Sequence, residues 1–334
     1  MKRIFNVFVV MLAVAAVFMT VGFIFVKRGN INRGDIADRI SKNLQHGESN
    51  VEYQPPKPLN LSGLADVNTD KSASYPLNAF NTIHLYSDHC TVEFIPSEED
   101  NLKITMDTKG EAVLYTAVNK GELCIENKWA DPDVYDMNVI ILIAIPENYK
   151  GGYILSGNYS DIMLCDIESS MDMSFCFCDS KVETEQLSAG DITLELSGTT
   201  LTTEHINARG TLDVKSVSSK ISSQMIESLN ANLSANSSDI KFQKVVGGLS
   251  SDLKLSSLDI EFHTIAGHIT VNSDMTKINM RIKHNAPVSL RHEESYTTFS
   301  DNVKWTEKGQ KNENSRYIID MNSKLSIVSL SEME

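Results

Sequence analysis

The sequence predicts an all-β fold, a single-chain β-solenoid with parallel stacked coils of about 20 residues, preceded by an N-terminal transmembrane helix. Two observations predict the solenoid. Apolar residues alternate in a short segment that recurs from residue 153 to residue 290, and a second apolar segment begins nine residues after each of the first seven. A third observation, a long uncharged stretch at residues 5–26, predicts the helix.

Residues 5–26 are 22 uncharged and mostly apolar residues with two basic residues on each side. This length spans the core of a bilayer as a helix. The alternative is a cleaved signal peptide, but the run is long for one and no small-x-small cleavage site follows it. We therefore expect residues 1–28 to be an uncleaved membrane anchor with short flanks, and the solenoid to be extracytoplasmic on a single-pass cell-membrane protein. Basic residues on both sides leave the orientation open.

Two regions separate the anchor from the regular repeats. Residues 29–77 are polar and contain a Pro-Pro pair, which is typical of a flexible spacer. Residues 78–150 are predicted to form N-terminal strands and the first coil or cap of the solenoid. Ile83 and Val92 begin two alternating segments nine residues apart. The run 139–145 is apolar at every position, which predicts a strand that is covered on both faces.

Residues 151–299 carry the regular β-solenoid repeats, and each repeat has two segments. In the second segment, positions 0, 2 and 5 are mostly apolar, so the chain must bend between positions 2 and 5. The corner between the segments is small and polar. The leading positions of the first segments are Tyr153, Met173, Ile192, Leu212, Ala231, Ser251, Ile269 and Val288. Those of the second segments are Ile162, Val182, Leu201, Ile221, Ile240, Ile260 and Ile278.

Residues 300–334 are predicted to form a polar excursion and a closing coil. The excursion covers residues 300–316, and residues 317–330 then return to the two-segment rule. Open solenoid ends offer unpaired strand edges. We therefore expect the irregular N-terminal strands and this C-terminal region to cap the two ends.

The charge excludes one class of partner. The net charge is −14, and residues 1–59 carry eight basic against four acidic residues, so the remainder has 22 against 40 and a net charge of −18. Such a body repels phosphate backbones, so we expect no nucleic acid partner. The five cysteines are an odd number without a C-x-x-C pair, which favours free thiols. They are Cys90, Cys124, Cys165, Cys176 and Cys178.

No catalytic, cofactor or metal site is predicted, and the chain is interpreted as a non-enzyme that needs no cofactor. The even coil length leaves no room for the long loops that form a cleft on solenoid enzymes. Asp161, Asp239 and Asp259 are predicted to share one row with Lys181, Lys220 and Lys277, a mixture typical of charge compensation between stacked coils. A pair of His268 and His284 is conceivable as a ligand set, although surface histidines are favoured.

Four short motifs carry a family resemblance. They are Ile143-Ala-Ile-Pro146 at the end of the cap and the corners Ser160-Asp-Ile162, Gly190-Asp-Ile192 and Ser238-Asp-Ile240. Together with the anchor and spacer, they make residues 78–330 similar to the bacterial putative-adhesin family of β-strand-repeat envelope proteins. The resemblance implies adhesion or a link to envelope stress, and it supplies no catalytic residues.

The leading hypothesis is a membrane-anchored extracytoplasmic β-solenoid acting as a non-catalytic binding, adhesion or scaffold module at the bacterial cell envelope. Its partners are then the membrane, through residues 5–26, and a cell-surface protein or glycan. The alternative is an envelope-stress sensor or modulator that acts through a membrane partner. A polysaccharide-active enzyme and a self-assembling structural protein are two further hypotheses of other classes.

Overall fold

Two parallel stacks of strands, joined at a corner in every coil, organise the chain. The computed structural model describes residues 53–61, 66–109, 112–129, 139–283, 286, 288–303 and 317–333. They contain 22 β-strands in one continuous hydrogen-bonded system and a short 3-10 turn at Leu77–Ala79. The prediction of an all-β fold with stacked parallel coils is confirmed.

The strands fall into four groups. The first sheet contains β2 (Thr82–Asp88), β8 (Gly152–Asn158), β11 (Met173–Cys178), β13 (Ile192–Ser197), β19 (Val288–Ser295) and β21 (Tyr317–Lys324). The second sheet contains β3 (Thr91–Ser97), β9 (Asp161–Leu164), β10 (Ile167–Glu168), β12 (Lys181–Ala189), β18 (Lys277–Lys283), β20 (Thr298–Asp301) and β22 (Ile327–Met333). Four long strands contribute to both sheets, namely β14 (Thr200–Val217), β15 (Lys220–Asn236), β16 (Asp239–Lys254) and β17 (Ser257–Asp274). The cap contains β1 (Ser72–Pro76), β4 (Asn101–Asp107), β5 (Ala112–Asn119), β6 (Glu122–Trp129) and β7 (Ile140–Pro146).

The apolar rows point inward as the alternation predicts. In the coil that contains β12, Val182 and Leu187 are completely buried and Thr184 is 8% exposed. Positions 0, 2 and 5 of the second segment therefore all face the core, and the chain bends between positions 2 and 5. Each inward side chain stacks on its equivalent in the neighbouring coil, so the core is one continuous column.

Each described corner between the two sheets contains one residue in the left-handed backbone region. The corner residues have φ between 46° and 58°, and only one of them is glycine. A residue with a side chain adopts this conformation at a cost of about 1–2 kcal/mol. The surrounding coil must therefore impose it. The ten corner residues are His89, Tyr159, Asp179, Gly198, Ser218, Ser237, Leu255, Met275, Tyr296 and Leu325.

A ladder of buried hydroxyl groups follows these corners, one residue later in the chain. Each hydroxyl donates a hydrogen bond of 2.7–3.1 Å to the carbonyl two residues before it. Most also accept one from the equivalent amide of an adjacent coil, as Ser219 Oγ does from Thr199 N at 3.2 Å. We call the set the hydroxyl ladder; it contains Ser160, Ser180, Thr199, Ser219, Ser238, Ser256, Thr276 and Ser326.

The order of coils in space differs from their order in the chain at the N-terminal end. Ile83 of β2 pairs with Leu123 of β6 on one side and with Tyr153 of β8 on the other. The coil formed by β6 and β7 therefore covers the coil of β2 and β3, which was predicted to be the first. Beyond it, β5 runs antiparallel to β6, and β4 and β1 continue antiparallel from β7.

The same inversion occurs at the C-terminal end. Ile319 of β21 pairs with Ile269 of β17 and with Leu290 of β19, so the last coil of the chain is inserted between two earlier ones. The expectation that this coil closes the stack is wrong. The residue types give the reason, because the inward positions of β21 include Ile319 and Met321, whereas those paired with Met321 and Ser323 on β19 are His292 and Glu294. The most apolar coil takes the covered place.

One predicted register is also wrong, by two residues. Leu249, rather than Ser251, pairs with Ala231, and Leu258, rather than Ile260, pairs with Ile240. A shift of two keeps every side chain on its predicted face, since alternation in a strand has a period of two. Alternation alone therefore cannot detect such a shift.

The predicted row of compensating charges changes with this register. Lys220 pairs with Asp239, Asp239 with Ser257, and Ser257 with Lys277, so Asp259 is outside the row. Asp161 and Lys181 pair as expected. Asp259 instead accepts hydrogen bonds from Asn279 and Arg281. Opposite charges are thus direct neighbours at two steps of the row, and the neutral residues Thr200 and Ser257 separate the other charges.

Three further expectations concern the N-terminal half. The predicted spacer contains β1, so the ordered body begins before the predicted boundary at residue 77. The strand β7 is buried on one face only, because Ile140 is 40% exposed. The predicted anchor at residues 5–26 lies outside the described residues; within the parts that are described, no helix has the length and apolarity needed to cross a bilayer.

Removing one hydroxyl of the ladder should destabilise the solenoid. In Ser219→Ala, the buried amide of Thr199 and the carbonyl of Val217 each lose a partner, which should lower the free energy of unfolding by about 1–3 kcal/mol. The urea midpoint measures this loss. The control Ser250→Ala, at an exposed position of β16, should change stability by less than about 0.5 kcal/mol. Equal midpoints for the two variants would contradict a structural role for the ladder.

Cysteine pairs should reveal the inverted order of the C-terminal coils. Asn272, Asn322 and Glu293 lie side by side in that order on exposed positions. Adjacent strands are about 4.8 Å apart, within the reach of a disulfide, whereas two spacings exceed it. Under mild oxidation, the double variant Asn272→Cys/Asn322→Cys should form a disulfide that peptide mass mapping detects. Asn272→Cys/Glu293→Cys should not form a disulfide. The opposite result would show that the coils stack in the order in which they occur in the chain.

Candidate functional site

The regular surface is interrupted where the cap meets the first regular coils. Here β3 ends at Ser97, β7 ends at Pro146, and β10 pairs only with β12 among the described strands. A recess with a volume of about 550 Å³ remains between them. We call it the shoulder groove; its lining includes Pro96, Ile145, Pro146, Tyr149, Tyr153, Leu164, Cys165 and Ile167.

Two tyrosines form the floor of the shoulder groove. The rings of Tyr149 and Tyr153 meet edge to face with centroids 5.5 Å apart, and Phe80 lies 5.6 Å beyond Tyr149. The Tyr149 hydroxyl donates to the carbonyl of Gly152 at 3.1 Å. Burial raises the pKa of both phenols above their ordinary value, so they stay neutral. The floor is therefore an uncharged, largely apolar surface.

The rim of the groove carries charges of both signs, with acid in excess. Lys150 Nζ lies 2.7 Å from a carboxylate oxygen of Glu168, and this hydrogen bond lowers the pKa of Glu168. A second recess of about 350 Å³ continues past this pair to Arg209, whose guanidinium donates to the carbonyl of Ser169 at 2.7 Å. Three more carboxylates line the main groove, those of Glu147, Asp166 and Glu185.

The one thiol in the groove is a poor nucleophile. Burial raises the pKa of Cys165, so the thiol stays protonated near neutral pH. The residues that line the groove include no histidine to accept its proton. An apolar floor with a charged rim is suited to binding a ligand that carries both apolar and charged groups.

A separate cluster on the outer face of the first sheet brings together three possible metal ligands. His84 of β2 lies directly opposite Cys124 of β6, and Glu122 precedes Cys124 by two residues. Their ligand atoms all lie within 4.8 Å of one another, and His84 Nδ1 is 3.2 Å from Glu122 Oε2. Sequence patterns do not predict this cluster, because His84 and Cys124 are far apart in the chain and meet only through the inverted coil order.

The chain segment before β1 is attached to the outer face of the same sheet. The Tyr53 hydroxyl donates to the carbonyl of Phe177 at 3.1 Å. The amides of Asn60 and Leu61 donate to the carboxylate of Glu126, at 3.4 and 3.1 Å. Glu126 is fully buried, so these amides provide the hydrogen bonds that water would otherwise give to its carboxylate. Residues 53–61 therefore lie along the body, although they belong to the predicted spacer.

The remaining residues singled out from the sequence are dispersed. Cys90 is buried at a corner, and Cys176 and Cys178 lie on β11, with Cys176 in contact with the carbonyl of Gln54 at 3.6 Å. All five cysteines are free thiols in the structure. His268 accepts a hydrogen bond from the amide of Ile318, and His284 lies outside the described residues.

Comparison with known proteins identifies a family and a set of distant structures. The profile of a family described as Toastrack DUF4097 matches residues 80–327. This match confirms the resemblance to a β-strand-repeat family of undefined function. A search of the curated proteins finds no match.

Three solved structures illustrate the structural comparison. A "putative lipid binding protein" from Parabacteroides distasonis has 13% identity and a TM-score of 0.39, over 81% of this chain and 98% of that one. A "putative adhesin" from Bacteroides fragilis has 11% identity and a TM-score of 0.33, with the same coverage. A "putative cell adhesion protein" from Clostridium sporogenes has 10% identity and a TM-score of 0.18, over 80% and 98%.

Proposed function

The chain belongs to the Toastrack DUF4097 family, and from this premise we propose that it is a membrane-anchored extracytoplasmic β-solenoid acting as a non-catalytic binding module at the bacterial cell envelope. The observation that carries the proposal is the shoulder groove. It combines a buried aromatic floor with a charged rim at the junction of cap and solenoid. We assign the binding of a partner to this groove.

The charge of the rim indicates the chemistry of that partner. Lys150 is compensated by Glu168, and Arg209 is held by a backbone carbonyl. The carboxylates of Glu147, Asp166 and Glu185 are then in excess, on a body that is itself strongly acidic. We infer a protein partner that presents a segment with basic and apolar side chains, the basic groups at the rim and the apolar groups on the floor.

The attachment of residues 53–61 to the body supports a role near the membrane, because it limits the length of the spacer between the expected anchor and the body. Tyr53 and Leu61 fix the two ends of this segment to β11 and β6. Any spacer between the anchor and the body must then end before residue 53. A groove on a rigid solenoid, joined to the membrane by a shortened spacer, is suited to contact with a partner near the membrane surface.

Charge removal at the rim should weaken binding of a basic peptide. The probe is a fluorescein-labelled peptide that alternates lysine with leucine, and fluorescence anisotropy measures its affinity for the full chain in detergent. Asp166→Asn/Glu185→Gln should weaken binding by roughly three- to tenfold, as expected for two partly exposed ion pairs. The control Asp252→Asn/Glu293→Gln makes the same change of charge at exposed positions on distant coils. An equal loss in the control, or equal binding of a glutamate–leucine peptide, would assign the effect to general charge and not to the groove.

Protease treatment of intact cells should test the location. If the solenoid is extracytoplasmic, added protease should remove the signal of an antibody raised against residues 151–299, while a cytoplasmic marker stays intact. For a Gram-negative host, the same test uses cells whose outer membrane has been permeabilised. Protection that persists until the inner membrane is opened would place the solenoid inside the cell and remove the adhesin hypothesis.

A further inference from the structure

The cluster of His84, Glu122 and Cys124 has the topology of a metal site. Because β2 and β6 are parallel and His84 pairs with Cys124, the two side chains emerge on the same face of the sheet. Glu122 is two residues before Cys124 and therefore shares that face. The pairing of two strands that are distant in the chain thus gathers a partly exposed imidazole, a partly exposed carboxylate and a buried thiol on one side of the sheet.

The distances suit a small tetrahedral cation. Zinc binds nitrogen at about 2.0–2.1 Å and sulfur at about 2.3 Å, so neighbouring ligand atoms around it lie about 3.3–3.8 Å apart. The three donor atoms are within 4.8 Å of one another, and one pair is already at 3.2 Å. Small side-chain rotations are enough to close the set around one ion.

The kinds of donor select the metal. Mg²⁺ and Ca²⁺ prefer sites made entirely of oxygen, whereas one sulfur, one nitrogen and one oxygen suit Zn²⁺. The side chains of His84 and Glu122 are 25% and 43% exposed, so an ion can enter from solvent and keep a water molecule as its fourth ligand. We propose that His84, Glu122 and Cys124 bind one Zn²⁺ ion, which links the cap strand β6 to β2.

A simple histidine–glutamate pair is the competing explanation, and the chain contains a matched example of it. His205 Nε2 lies 3.2 Å from Glu227 Oε2, with side-chain exposures of 28% and 38%. This pair has the separation and exposure of His84 and Glu122 but, among the residues that the structure describes, belongs to no three-ligand cluster. The Cys124 thiol makes only a long contact of 4.0 Å to the backbone oxygen of Glu122, so its position is not explained by a strong hydrogen bond.

The site goes beyond the proposed binding function, because it concerns how the cap is held and not what the groove binds. Its two strands are brought together by the inverted coil order, so an ion shared between them ties the outer coil to the one that it covers. Metal binding to the folded state alone stabilises that state by mass action. The ion should therefore raise the melting temperature of the protein.

Competition with a chromophoric zinc chelator tests the proposal on the full chain in detergent, after prior removal of metal. The wild type should bind one Zn²⁺ per chain, and its melting temperature should rise on addition of the ion. Cys124→Ser, His84→Asn and Glu122→Gln should each weaken binding by roughly tenfold or more. The controls His205→Asn and Cys178→Ser should bind as the wild type does. With Co²⁺ as the probe, a thiolate-to-metal absorption band should appear in the wild type and be absent from Cys124→Ser.

Two outcomes would overturn the proposal. One is a wild type that fails to take Zn²⁺ from the chelator. The other is binding that persists in Cys124→Ser but is lost in Cys178→Ser, which would place the ion at a different position on the first sheet. Circular dichroism of each variant without metal separates loss of the site from loss of the fold, and His84→Asn supplies an independent variant if Cys124→Ser unfolds.

Discussion

The left-handed corner and the hydroxyl that follows it set the geometry of every regular coil. The corner reverses the chain sharply, and nine of its ten occurrences use residues with a side chain, against their local preference. The hydroxyl ladder supports this conformation, since it provides an acceptor for the amide that follows the corner and a second donor for the carbonyl that precedes it. A fixed corner keeps a fixed distance between the two apolar segments, and the column of core residues can then stack without interruption.

Coils with the same corner and the same apolar row can occupy one another's places in the stack. This property allows the order of coils at both ends of the solenoid to differ from their order in the chain. At the N-terminal end a later coil covers an earlier one; at the C-terminal end the last coil is inserted below an earlier one. In both cases the coil nearest a terminus lies in a covered place. The exposed place is taken by β19, which is polar, or by β6 with its antiparallel partner β5. An uncovered parallel edge invites association with another chain, and these arrangements reduce that risk.

The periodicity of the sequence predicts the parts of this fold that repeat. It does not predict which of several similar coils or registers a given strand pairs with. The inward orientation of Val182 follows from alternation, and that of Leu187 follows from the apolar residue that recurs at position 5 of the second segment. The register of Leu249 and Leu258 does not, since a shift of two residues leaves each face unchanged. The inverted coil order is also invisible to periodicity, because it depends on which of several similar coils gains most by being covered. The metal-ligand cluster was missed for this reason, and the groove was missed because it arises from the ends of strands that are distant in the chain.

Both candidate sites lie at the junction between cap and solenoid, and the regularity of the coils explains this position. A stack with short corners and equal strands offers a surface without recesses, so chemistry requires a place where the stack is irregular. Tyr153 in the floor of the groove belongs to the first regular coil, whereas Tyr149 and Pro146 come from the end of the cap. The shape of the groove therefore depends on how the cap packs against the first regular coil. The pairing of His84 with Cys124 contributes to this packing, since it joins the outermost parallel coil to the next one. If the proposed ion and a groove ligand each bind only when the cap is packed in this way, each strengthens the binding of the other.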